Sequence, residues 1–308
     1  MSCYDEGALL RENAEEAGLA WTGPPPLRRH DVEVGDGRVV SALSWQEGEP
    51  ELVLVHGRGQ NAHTWDTVAL VLDRPLLAVD LPGHGHSSWR ADADYRPGSM
   101  ADDVTTVVRR LAPGASAMVG MSLGGLTAIA ATDRHPDLVR RLALVDITPG
   151  FGRGGASSVA SFLAGPESYA SFDELLERTV AFSPTRSVSS LRRGLYHNAR
   201  QREDGRWVWR HHVGQASGRT PPAGDPEAER ARLWDGLSRF AGPLLLVRGA
   251  NSPVVGQAEA EELARRRPDA RVVVVPDAGH SIQGDQPVAL AGHLTRFLEG
   301  GSARGSGG

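Results

Sequence analysis

Ser122 lies in Gly120-Met121-Ser122-Leu123-Gly124, directly after the apolar run Ala115–Gly120 and directly before a helical pattern over Leu123–Arg134. A serine flanked by glycines at a strand-to-helix turn is the arrangement that presents a nucleophilic hydroxyl above a sheet, since only small neighbours tolerate so sharp a turn. A hydroxyl near its ordinary pKa is a weak nucleophile and needs a base beside it. Of the eleven histidines, His280 is best placed, in the loop Asp277-Ala278-Gly279-His280-Ser281 that follows Arg271–Val275. Open parallel sheets hold their sites in loops beyond the carboxyl ends of their strands. The imidazole needs a carboxylate to orient it and to stabilise its cation. The turn after Leu244–Val247 reads Arg248-Gly249-Ala250-Asn251-Ser252-Pro253 and has no acid, and the first one beyond it, Glu259, falls in a helical pattern. The preceding run, Leu142–Val145, ends in Asp146, which is therefore the expected acid. Asp80, after Pro75–Val79, is the competitor and is expected to brace its own loop.

Acyl chemistry also needs two backbone N–H groups aimed at a tetrahedral oxygen. Leu123 supplies one, at the positive end of its helix. The loop His56–Gln60 supplies the other, with Arg58 the first choice, and the Arg58 side chain could bind an anionic substrate group. His56 opens this loop and is expected beside the substrate. His84 and His86, in Pro82-Gly83-His84-Gly85-His86, read as loop residues.

The elements that must hold these residues alternate along the chain. Apolar runs at Glu51–Val55, Pro75–Val79, Ala115–Gly120, Leu142–Val145, Leu244–Val247 and Arg271–Val275 read as strands. Helical patterns intervene at Asn61–Leu72, Ser99–Leu111, Leu123–Arg134, Gln257–Arg267 and Pro287–Leu298. This predicts an α/β fold with a mostly parallel sheet covered on both faces. Asp31–Val34 and Arg38–Ala42, around Gly35-Asp36-Gly37, predict an antiparallel hairpin ahead of it. The alternation fails only between Asp146 and Phe240. The expected organisation is an N-terminal extension over 1–30, a core over 31–146 and 240–299, a largely helical cap over 147–239 and a flexible tail over 300–308. The cap is aromatic, with a helix at Phe172–Phe182 and an extended segment Gly205–Arg210 whose Trp207 and Trp209 are expected to line the substrate site. Arg192, Arg193, Arg206 and Arg210 could attract a carboxylate or phosphate.

Composition narrows the chemistry further. The 308 residues carry 33 cationic and 38 acidic side chains, a net charge of −5, which argues against a broad nucleic-acid surface. Every cationic side chain is Arg, so a Schiff-base lysine is excluded. The single cysteine, Cys3, makes neither an internal disulfide nor a multi-cysteine zinc site. The acidic N-terminus has no signal-like apolar segment, and no apolar run approaches the roughly 18 residues of a membrane span. A cytoplasmic enzyme is expected, with no cofactor, metal, nucleic-acid partner or membrane span, acting on a small-molecule ester or acyl substrate.

Taken together, LVHGRGQNAHTW, VDLPGHGHS, GMSLGG, LVDITP, LLLVRGANSP and DAGHSIQGDQP resemble the α/β-hydrolase superfamily in that order, from about Asp31 to Leu298. Within it, Asp-Ile-Thr-Pro with Gly-Ala-Asn-Ser-Pro resembles small esterases and thioesterases whose acid follows the strand before the cap, which implies Asp146. More distant members carry the acid on the Asn251–Val254 turn. The resemblance implies an α/β-hydrolase fold and a Ser122-His280-Asp146 relay that cleaves a carboxylic ester or thioester through an acyl-enzyme. Carbon–carbon or lactone hydrolysis, cofactor-free perhydrolysis and lyase reactions use the same relay, and a catalytically silent ligand receptor is a further alternative.

Overall fold

The computed structural model describes residues 4–151, 161–162, 165–183, 186–212 and 225–300. A short helix α1 (Leu10–Glu16) precedes the hairpin β1 (Leu27–Gly35) and β2 (Arg38–Trp45). β3 (Leu52–Val55), α2 (Asp66–Leu72), β4 (Leu76–Val79), α3 (Pro97–Leu111), β5 (Ala117–Met121), α4 (Leu123–Arg134) and β6 (Leu142–Val145) follow. The segment expected as the cap contributes α5 (Phe172–Phe182), α6 (Val188–Asn198) and the small antiparallel pair β7 (Ala199–Gln201) and β8 (Trp207–Trp209). The chain closes with α7 (Pro226–Arg239), β9 (Leu244–Gly249), α8 (Gln257–Arg266), β10 (Arg271–Val275), α9 (Ile282–Asp285) and α10 (Pro287–Glu299).

Eight strands form one sheet in the order β1-β2-β4-β3-β5-β6-β9-β10. β1 and β2 are antiparallel to each other, β2 is antiparallel to β4, and all the remaining pairs are parallel. The apolar runs are continuous because both faces are covered. Val53 and Val55 pack on one face with residues of α3, α4 and α7, while Leu52 and Leu54 pack on the other with residues of α2 and α10. Among the described residues no helix is long and apolar enough to cross a membrane.

The structure shifts some expected boundaries, each for a local reason. The hairpin strands run longer than expected, to Leu27 at one end and Trp45 at the other, because β2 also pairs with β4. β1 thus begins inside the span assigned to the N-terminal extension. The helix expected over Asn61–Leu72 opens as a 3-10 turn, Ala62–Trp65, in which the Asn61 side chain accepts the His63 N–H (2.9 Å). α3 starts at Pro97 instead of Ser99, since proline at the first helical position is already set for helix. The expected cap span, 147–239, includes α7, yet Leu233, Trp234 and Leu237 of α7 belong to the sheet core beside Ile129 of α4. α7 is core cover, and the aromatic Trp234 is no part of the cap. Of the expected flexible tail, 301–308 lie outside the described residues.

Candidate active site

The turn that carries Ser122 is built by close approach. Ser122 has φ 50° and ψ −119°, a backbone state that side chains avoid unless their surroundings impose it. Gly120, Gly124 and Gly125 impose it here. A Cβ on Gly120 would lie 2.5 Å from the Gly124 carbonyl oxygen, and one on Gly124 would lie 2.3 Å from that of Val55. A Cβ on Gly125 would meet Ile147 at 2.3 Å.

Ser122, His280 and Asp146 come from the ends of β5, β10 and β6, and the sheet brings all three together. The Ser122 hydroxyl donates to His280 Nε2 (3.1 Å), and His280 Nδ1–H donates to Asp146 Oδ2 (2.7 Å). Asp146 is fully buried, with φ 51°. Its Oδ1 accepts the Gly249 N–H (3.0 Å), and Oδ2 also accepts the Ser252 hydroxyl. Ser252 in turn accepts the N–H groups of Val254 (3.0 Å) and Val255 (3.3 Å). Gly249 is needed for this contact, since a Cβ there would lie 2.2 Å from the Gly279 carbonyl oxygen of the His280 loop. The acid-free turn thus supplies donors to the acid that the preceding strand carries. Gly249 and Ser252 were missed as site residues; the small, polar Gly-Ala-Asn-Ser run was the available signal.

Asp80 does not approach His280. It accepts the N–H groups of Ala62 (2.7 Å) and His86 (3.0 Å) and pairs with Arg29 (2.9 Å), so it braces its loop as expected. His56 corrects an expectation. It is fully buried and does not line the cavity: Nε2 accepts the Leu81 N–H (2.9 Å) and Nδ1 donates to the Gly57 carbonyl (2.7 Å). Burial lowers its pKa and favours this neutral ring. His84 is likewise buried and held near-neutral by desolvation.

Arg58 borders the cavity on the loop that abuts Ser122, where a Cβ on Gly57 would lie 2.5 Å from Met121 Sδ and 3.2 Å from Ser122 Cβ. The loop is held at both ends: the Gly57 N–H donates to Gln60 Oε1 (3.0 Å) and Asn198 Nδ2 of α6 donates to the Gly59 carbonyl. Leu123 opens α4, where first-turn N–H groups have no acceptor within the helix.

A cavity of about 460 Å³ lies over Ser122 and His280, between these loops and the cap. Phe162, Phe182, Leu191, Leu195 and Trp209 give it apolar walls. Trp207, expected at the substrate, is placed elsewhere: its backbone pairs with Tyr169 and its ring meets Phe172 edge-on (5.0 Å) within the cap. Strand alternation sends Trp207 and Trp209 to the same face, but Trp209 alone sits far enough inward to reach the cavity. The four cap arginines are also occupied. Arg192 and Arg193 bind Glu12 and Glu16 of α1, Arg206 binds Ser168 (2.7 Å), and Arg210 lies over the Tyr4 ring (5.4 Å).

A second buried network joins the N-terminal segment to core and cap, and sequence reasoning did not find it. His63 donates to Asp66 (3.0 Å) and to Glu6 (2.6 Å), Glu6 also binds Arg29, and Tyr4 donates to His197 Nδ1 (2.6 Å). Burial alone would depress His63, but the two carboxylates outweigh it and raise its pKa to about 9. Burial and the neighbouring His63 cation keep His197 well below the ordinary range. Among the described residues, His63, Asp66 and His197 also have donor atoms spaced for a cation, all within 4.8 Å. The His63 and His197 rings are stacked, with centroids 3.6 Å apart and planes 11° apart, so their in-plane lone pairs run side by side instead of converging.

The family model for the α/β-hydrolase fold matches residues 50–287, more than half of the chain. The chain belongs to the α/β-hydrolase family. It is an enzyme of the hydrolase class. As an α/β-hydrolase it is 45% identical over 293 residues to the esterase Rv0045c of Mycobacterium tuberculosis, covering 93% of each chain. A crystal structure of that esterase superposes with a TM-score of 0.81 at 43% identity, over 97% of this chain and 99% of that one. A 2-(acetamidomethylene)succinate hydrolase of Mesorhizobium japonicum is 27% identical over 281 residues, 88% of this chain and 95% of that one.

Proposed function

We propose that this α/β-hydrolase cleaves carboxylic esters or thioesters through an acyl-enzyme on Ser122. One observation carries the reading: an unbroken hydrogen-bond relay from the Ser122 hydroxyl through His280 to a buried, fully bonded Asp146. In that relay Ser122 Oγ attacks the acyl carbon as its proton passes to His280 Nε2. The oxygen that gains charge is held by the N–H groups of Leu123 and Arg58. Collapse of the tetrahedral adduct expels the alcohol or thiol, which takes the proton back from His280. A water molecule then gives its proton to His280 and attacks the acyl carbon, and the acid leaves as Ser122 is restored. Asp146 fixes the imidazole tautomer and stabilises the imidazolium. Carbon–carbon, lactone, perhydrolysis and lyase reactions run on similar relays; the 45% identity to an esterase favours ester cleavage.

The test is active-site labelling with a fluorophosphonate, followed by mass spectrometry of acyl-enzymes trapped from a panel of acyl esters and thioesters. The wild type is expected to carry adducts on Ser122, and Ser122→Ala is expected to lose both labelling and turnover. Labelling of Ser122→Ala at the wild-type rate would remove this hydroxyl from the mechanism.

A further inference from the structure

The cavity over Ser122 contains one positive charge more than its own acids neutralise. Three carboxylates line it, and each faces a cation: Glu16 pairs with Arg193, Asp66 with His63 (3.0 Å) and Asp285 with Arg186 (4.0 Å). His280 is held by Asp146, which lies beneath it. Arg58 also lines the cavity, exposed to its interior, and has no hydrogen-bond or ion-pair partner among the described residues. The remaining residues, 1–3, 152–160, 163–164, 184–185, 213–224 and 301–308, contain no Asp or Glu, so no acidic side chain of this chain is left to pair with it. Arg58 is solvent-accessible where it borders the cavity, and the surrounding protein desolvates its guanidinium in part, which lowers its pKa. A guanidinium at the cavity wall with no acidic partner among the described residues has a carboxylate as its natural complement, through two parallel N–H···O bonds. The loop backbone on either side of Arg58 is fixed by Gln60 and by Asn198 of α6, which sets the position of the Arg58 Cα before any ligand arrives.

We propose that Arg58 is a substrate-recognition residue that binds a carboxylate carried by the ester, close to the scissile carbonyl. This deepens the reading above and rests on it, because the backbone N–H of the same residue is the expected oxyanion donor. The carboxylate must therefore lie within one arginine side chain of the reacting carbon. That describes short, anionic esters: half-esters of small dicarboxylic acids, or acyl esters of small hydroxy acids. Apolar walls formed by Phe162, Phe182 and Trp209 would then hold the uncharged end.

The experiment compares matched charged and neutral probes on the full-length enzyme. Monomethyl succinate against dimethyl succinate, followed by methanol release, places the carboxylate on the acyl side. Acetoxyacetate against methyl acetoxyacetate, followed by acetate release, places it on the alcohol side. The readout is the ratio of kcat/KM for charged over neutral probe, which cancels any common effect of a substitution on the oxyanion loop. The wild type is expected to favour the charged member of at least one pair. That ratio should fall about 10- to 100-fold in Arg58→Gln and less in Arg58→Lys, which keeps the charge but loses the paired N–H···O bonds. Which pair shows the preference assigns the side of the ester. No preference in either pair, or an unchanged ratio in Arg58→Gln, overturns the proposal. Fluorophosphonate labelling of Ser122 in the same preparations separates the two failures: normal labelling with no charge preference sinks Arg58 recognition alone, and absent labelling sinks the serine mechanism beneath it.

Discussion

Replacing Asp146 with asparagine tests the relay with little change in shape. Asp146 has φ 51°, a state that asparagine adopts more readily than most residues, so the backbone should hold. The orientation of the new amide is decided by its neighbours. The Gly249 N–H points at Oδ1 (3.0 Å) and can neither rotate nor shift its proton, whereas at Oδ2 the Ser252 hydroxyl can turn and the His280 ring can change tautomer, so the amide oxygen takes Oδ1 and the NH2 group faces His280 and Ser252. The reverse orientation would leave the buried Gly249 N–H against another donor, at a cost of about 1–3 kcal/mol. With NH2 facing it, His280 Nδ1 must accept, so its proton moves to Nε2 and points at Ser122. The imidazole can then no longer take the serine proton. The loss expected for this tautomer is about 10⁴-fold in kcat, or about 5 kcal/mol of transition-state stabilisation. The assay is steady-state hydrolysis of an activated acyl ester, with thermal unfolding as the check on folding. A fall in kcat of less than tenfold in a stably folded variant would refute the argument and leave the orienting role to another group. Asp80→Asn is the companion variant. It removes one of the two acceptor oxygens, so either the Ala62 contact or those of His86 and Arg29 are lost together with the charge facing Arg29, and it should lower the melting temperature without reversing the His280 tautomer.

Two further outcomes are expected. The His63 pKa, about 9 in the folded chain against about 6.5 unfolded, means its pairing with Asp66 and Glu6 stabilises fully below about pH 6.5 and is lost as pH rises through about 9. Urea unfolding at pH 7 and pH 10 should therefore show a larger loss for the wild type than for His63→Gln, and equal losses would disprove the contribution. Gly124→Ala places a methyl group 2.3 Å from the Val55 carbonyl oxygen, which cannot move without disturbing β3. Overpacking of about 1–3 kcal/mol is expected, with slower fluorophosphonate labelling at Ser122; unchanged stability and labelling would show that the turn is looser than its geometry.

The strands and long helices were legible because their patterns are local. Leu123–Arg134, Leu142–Val145, Phe172–Phe182 and Arg271–Val275 have the expected bounds. The elements not recognised are short or lack a strong apolar stripe. α1 has seven residues, too few to be stable alone, and it is held by Arg192 and Arg193 of α6, about 180 positions away. α7 was read with its neighbours as cap because nothing local reveals that Leu233, Trp234 and Leu237 face α4.

Ser122 and its glycines state their chemistry within six residues, since the turn demands small neighbours at fixed offsets. His280 and Asp146 were identifiable as loop residues at strand ends, because a parallel sheet aligns those ends along one edge. The sheet alone decides that 134 positions of chain close to 2.7 Å between them, and that Gly249 and Ser252 donate to the acid. It also decides which side chains remain without partners. The sequence offers the Arg58 side chain as a contact for an anionic group, but only folding shows that, among the described residues, the cavity's acids pair with other cations and leave Arg58 without one. Motifs depend on backbone geometry a few residues long, whereas charge balance in a cavity depends on every segment that borders it.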